Sequence, residues 1–167
     1  GRGYFGADPA RCERFAAMRK DWLAKLPAGE RALAQYEYYR WAVPGKGFEN
    51  FPAFGPRAIA ADLRALNGLS LGDYVEVHRG KGLDSMGVTG LNLYVTGRCW
   101  WDADLDIDAL LDEYYTLFYG PAHGPMKALI EFSETNFVEM RKDPARIAKV
   151  LAWCAEARAA AAGDDRV

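Results

Sequence analysis

Cysteine and histidine are scarce in this chain. Its 167 residues include three cysteines, Cys12, Cys99 and Cys154, and two histidines, His78 and His123. So small and odd a cysteine set makes neither a disulfide framework nor a metal knuckle. No His-x-x-x-His or Cys-x-x-Cys spacing occurs, which argues against a dedicated zinc site. The three thiols are expected to be free and buried. An excess of positive charge is also missing. Lys and Arg number 21 against 23 Asp and Glu, for a net charge of -2, so no basic surface marks a nucleic-acid partner. No apolar run is long enough to span a membrane, and no signal peptide is visible. The chain opens on Gly1 rather than Met, as a fragment or processed product would, so the missing signal says little about compartment. The length suits one domain.

What is present is an ordinary globular composition, 50% apolar and 26% charged, with 13% aromatic residues that include five Trp and nine Tyr. Many of these rings belong in a core. Carbohydrate sites also use aromatic faces, because sugar C–H bonds stack on them.

Along the chain, Asp8-Pro9 reads as a helix start. Cys12, Phe15, Met18, Trp22 and Leu26 then recur at helical steps, until Pro27-Ala28-Gly29 stops them. Residues 31–39 read as a strand. Residues 40–55, rich in Gly, Pro and aromatics, form a long loop of the kind that is often functional. Pro56 opens a second helix with Ile59, Leu63 and Leu66 on one face, ended by Asn67-Gly68. Residues 73–78 are a second strand and 79–87 a second loop. The segment 91–101 carries both periods. It is assigned to helix with Leu91, Tyr94, Arg98 and Trp101 in one row, and Trp100 and Trp101 are read mainly as packing residues. Asp106 caps a helix with Ile107, Leu110, Leu111, Tyr114 and Phe118, ended by Gly120-Pro121. Pro125 begins another helix, and Asp143-Pro144 a last one with Ile147, Val150, Leu151 and Cys154. The Ala-rich end and Gly163–Val167 read as a fraying tail. Asp102, Asp104, Asp106, Asp108 and Asp112 resemble a calcium run, but the glycine and closing Glu of such a loop are misplaced. A solvated acidic helix start explains them better.

Two strand-like runs each hold a glutamate: Tyr36-Glu37-Tyr38-Tyr39 and Tyr74-Val75-Glu76-Val77-His78. Each follows a helical segment, so the two read as consecutive parallel strands. Parallel sheets are usually buried on both faces. A carboxylate there is costly unless paired or placed at the open end of the strand, where such folds carry their active sites. Two strands alone make a poor sheet, so the α/β alternation reads as the last part of a larger barrel with strands upstream.

The stretches Gly90–Asp102, Asp106–Tyr115 and Phe118–Ala122, with Tyr36–Tyr39 and Ile59–Arg64, resemble a bacterial family labelled a domain of unknown function, itself similar to α-glucuronidase and β-hexosaminidase type barrels. The resemblance covers most of residues 9–135. Its more specific blocks are Leu-Asn-x-Tyr-Val and Tyr-Gly-Pro-Ala. It implies the C-terminal portion of a (β/α)8 TIM-barrel glycosidase-like domain followed by an α-helical segment. Residues 1–102 would hold the last βα units, 103–162 the helices and 163–167 the tail, with residues 31–39 and 73–78 as the seventh and eighth strands. It also implies a carbohydrate substrate, no cofactor, and a secreted or periplasmic setting. Strands one to six, with any carboxylate they carry, are absent here.

Glycoside hydrolysis usually needs two carboxyl groups, about 5–5.5 Å apart for retention or about 6.5–9.5 Å for inversion. Within that frame Glu37 and Glu76 are the catalytic candidates. Tyr36 and Tyr38 could orient a carboxylate or bond a sugar hydroxyl, Trp41 could form a sugar platform, and His78 or Arg79 could grip an acidic sugar. The alternatives are structural. Glu37 can be a carboxylate bonded across the barrel, Arg79 can neutralise either glutamate, and Trp41 can anchor its loop. Carbohydrate binding without hydrolysis is the rival function.

Overall fold

The computed structural model describes residues 9–27, 31, 33–37, 54–75, 84–140 and 142–164. Among the described residues, six helices and two strands follow in the order α1 (Pro9–Leu23), β1 (Leu33–Glu37), α2 (Pro56–Leu66), β2 (Ser70–Val75), α3 (Asp84–Trp101), α4 (Ile107–Tyr119), a 3-10 turn (Gly120–Ala122), α5 (His123–Met140) and α6 (Pro144–Ala160). The chain divides into two compact units, Gly1–Asp104 and Leu105–Val167. The architecture is loosely α/β, mostly helical with one small parallel sheet.

In the first unit β1 and β2 pair in parallel, with Gln35 beside Asp73, Tyr36 beside Tyr74 and Glu37 beside Val75. The pairing decides the strand limits. β2 begins at Ser70, earlier than the expected residue 73, because Ser70 lies opposite Leu33 where β1 starts. Pro56 sits at the first turn of α2, where its missing N–H costs nothing. Gly68, with a φ of 74°, follows the C-cap Asn67 in the left-handed region that favours glycine. Ile59, Ala60, Leu63 and Leu66 of α2 are buried, as are Leu91, Val95 and Cys99 of α3, and α2 packs on α3. Asn92, fully buried, accepts a hydrogen bond from the Gly55 N–H at 3.1 Å and so ties α3 to the start of α2.

Segment 91–101 is helical, as assigned, but its buried row differs from the expected one. Leu91, Val95 and Cys99, with Asn92 and Thr96, form the inward face. Arg98 turns outward and donates to the Tyr94 hydroxyl at 2.6 Å. Trp100 and Trp101 fall off the buried row and are 54% and 93% exposed, which corrects their reading as packing residues. The helix also starts earlier, at Asp84. Along α1, Met18 and Trp22 are exposed although the sequence period places them on an apolar row. Arg19 of α1 meets Asp62 of α2 at 2.9 Å. The Asp8 cap lies outside the described residues.

The second unit is a helical cluster in which α5 packs against both α4 and α6. Asp106 caps α4 as its spacing predicts, accepting from the N–H groups of Asp108 and Ala109 at 3.0 and 3.2 Å. Gly120 ends α4 at a φ of 49°, and α5 starts at His123, two residues before the expected Pro125. Asp143 caps α6 through the Ala145 N–H and also accepts from Arg146. The slight desolvation that would raise the Asp143 pKa is outweighed by these donors, which hold the carboxyl below its ordinary value. The Ala-rich segment is anchored, with Ala157 and Ala161 buried against Ala122, Tyr119 and Met126, and residues 165–167 of the expected tail lie outside the described residues. The remaining acids of the calcium-like run also have structural partners. Asp112 pairs with Lys127 at 2.6 Å and Asp104 with Arg64 at 3.6 Å. No described helix is long and apolar enough to cross a membrane.

Candidate functional site

Glu37 is the last residue of β1 and is 4% exposed. Because side chains alternate along a strand, it shares a face with Leu33 and Gln35, and Gln35 is also buried. The register places Asp73 of β2 on that same face. The helices reach it too: the Trp100 indole of α3 donates to the Asp73 carboxylate at 3.2 Å. Glu37 therefore belongs to the side of the sheet that meets the helical layer.

Tyr36 lies on the opposite face. Its ring stacks on Tyr74, with centroids 5.0 Å apart and planes 9° from parallel. Both rings are at least half exposed. Tyr36 and Glu37 are thus adjacent in sequence but divided by the sheet, and the Tyr36 hydroxyl cannot hold the Glu37 carboxylate directly. Tyr38, Trp41, Glu76, His78 and Arg79 lie outside the described residues. The register of the described residues ends with Glu37 beside Val75.

Two groups escaped the sequence reading. Tyr74 is one: set in register, the two strand runs align it with Tyr36, whereas alignment by glutamate does not. The other group lies at the opposite end of the sheet. There the start of β2 and the last turns of α2 and α3 enclose a cleft of about 320 Å³ that opens to solvent. Leu66, Leu71, Cys99, Trp100, Trp101 and Asp102 are among the residues that line it. The adjacent Trp-Trp-Asp at the end of a helical period was the available signal. Among the described residues no group of three or more His, Cys, Asp or Glu side chains converges as metal ligands.

In chemical terms one end of the parallel pair carries a shielded carboxylate, where it can exchange a proton or accept from a hydroxyl. The open face offers a flat aromatic surface. The far end offers indoles beside carboxylates and a guanidinium. Compared with protein-family models, with curated proteins and with solved structures, the chain matches none.

Proposed function

We propose that this chain is the C-terminal part of a glycosidase-type (β/α)8 barrel acting on an oligosaccharide or polysaccharide, with Glu37 as one of its working carboxyl groups. The observation that supports this reading is the place of Glu37 at the C-terminal end of a strand in a β–α–β unit, although its carboxylate stands on the helix side of the sheet and not on the face that a barrel turns inward. Active sites of (β/α)8 enzymes are built at that end of the strands. A two-stranded parallel sheet with an exposed aromatic face is also a poor free-standing structure, and further strands upstream would cover it. Glu76, His78, Arg79, Tyr38 and Trp41 complete the proposal as partner carboxyl, acidic-sugar contacts and sugar platform.

The test is Glu37→Gln in the full-length protein, assayed for oligosaccharide hydrolysis. Loss of a general acid, base or nucleophile is expected to lower turnover by about 100-fold or more. Unchanged turnover removes Glu37 from the chemistry.

A second reading, carbohydrate binding without hydrolysis, is favoured by the direction in which Glu37 points. It shares the helix-side face of the sheet, whereas the Tyr36–Tyr74 pair presents the open one. Glycan binding that survives Glu37→Gln and is lost in Tyr74→Ala, with no cleavage by the parent, selects this reading.

A further inference from the structure

The cleft runs along β2 from Ser70 to Asp73, and Asp73 pairs with Gln35, two residues before Glu37. Its Trp101, Asp102, Asp104 and Arg31 are residues to which the hydrolase reading gives no role. Its most unusual feature is Trp101, 93% exposed, with Trp100 beside it 54% exposed. Leaving two indoles in water is unfavourable, and apolar surface next to a concavity commonly marks a binding site. The volume, about 320 Å³, is at the small end of ligand pockets.

The charges around the cleft decide what kind of ligand fits. Asp73, Asp102 and Asp104 line it together with Arg31. Each carboxylate already has a neighbour: Asp73 accepts from the Trp100 indole, Asp102 accepts from the Asp104 N–H at 3.0 Å, and Asp104 forms an ion pair with the Arg64 guanidinium at 3.6 Å. An anion would meet three carboxylates. A cation would meet Arg31 and the Arg64 charge that Asp104 already balances. The match is a neutral molecule with an apolar ring face and many hydroxyls, which can stack on indole while its hydroxyls donate to the remaining carboxylate lone pairs and accept from Arg31.

We propose that this cleft is a second saccharide-binding site, with Trp101 and Trp100 as stacking surfaces and Asp102, Asp104 and Arg31 as hydroxyl partners. It stands independently of the hydrolase reading, since that reading assigns no role to Trp101, Trp100, Asp102, Asp104 or Arg31.

The test is calorimetric titration of the full-length protein with cellohexaose and chitohexaose, two neutral probes, followed by tryptophan fluorescence. Saturable binding to at least one is expected, weakened by about tenfold or more in Trp101→Ala. Because Trp101 is almost fully exposed, this variant is expected to keep its circular dichroism spectrum and melting temperature. Glu37→Gln is expected to leave this binding intact, so failure of the hydrolase reading and failure of this site remain distinguishable. The proposal is overturned if neither probe binds, if Trp101→Ala binds as tightly as the parent, or if sedimentation shows a dimer that Trp101→Ala dissociates.

Discussion

Cys99 and Cys154 present the same side chain in opposite surroundings. Cys99 is buried on the inward row of α3, and Cys154 is exposed on α6. Burial pushes the Cys99 thiol pKa up; Arg64 and Arg98 pull it down, and Asp102 adds to the rise. A raised pKa and a shielded sulfur both suppress the thiolate, which is the reactive form. Alkylation of the native protein by iodoacetamide, followed residue by residue in peptide mass spectra, is expected to modify Cys154 first. Cys99 should react more than about tenfold slower until the protein is unfolded. Equal rates would show that the α2–α3 packing opens readily. The expectation of three buried thiols thus holds for Cys99 and not for Cys154, while the Cys12 side chain lies outside the described residues. Cys154 sits on a regular helical period, but that period only ranks positions around a helix. Which side meets a neighbour is decided by that neighbour.

The same distinction operates on whole elements. α3 has the helical repeat that the sequence carries, but its inward face is Leu91, Val95 and Cys99 rather than Leu91, Tyr94, Arg98 and Trp101. Both rows satisfy three- and four-residue steps, and contact with α2 selects between them. Caps are a different matter, because their hydrogen bonds are made within four residues. Asp106 accepts from two backbone donors of the first turn of α4, satisfying N–H groups that otherwise lack a helical partner. Replacing it with Ala is expected to cost about 1 kcal/mol of unfolding free energy. Urea denaturation of parent and variant measures this. A change below a few tenths of a kcal/mol would mean that water serves these N–H groups as well as the carboxylate does.

At the scale of the whole molecule, the chain forms two compact units with different kinds of core. In the second, buried Tyr114 contacts buried Tyr115, partly buried Tyr119 and the exposed Phe118. Burial raises the Tyr119 phenol well above its ordinary value of 10.0, and the neighbouring Tyr114 adds to the rise. The folded state therefore holds this proton more tightly than the unfolded chain does. The resulting stabilisation is fully present below pH about 10 and is lost as pH rises above it. Thermal melts between pH 8 and 11 are expected to show a falling Tm above pH 10, and Tyr119→Phe should reduce that fall. A Tm that does not depend on pH in this range would exclude the effect. The sequence alone determined the features made by short-range chemistry: proline-led helix starts, the Asp106 and Asp143 caps, the glycine stops at Gly68 and Gly120, and strand character around Glu37. These depend on hydrogen bonds and backbone dihedrals a few residues apart. Only the tertiary structure decided that Tyr36 stacks on Tyr74, that Glu37 turns to the helix side, and that Trp100 and Trp101 face solvent beside a cleft. Each of these depends on strand register or helix rotation, and contacts between residues far apart in the chain set both.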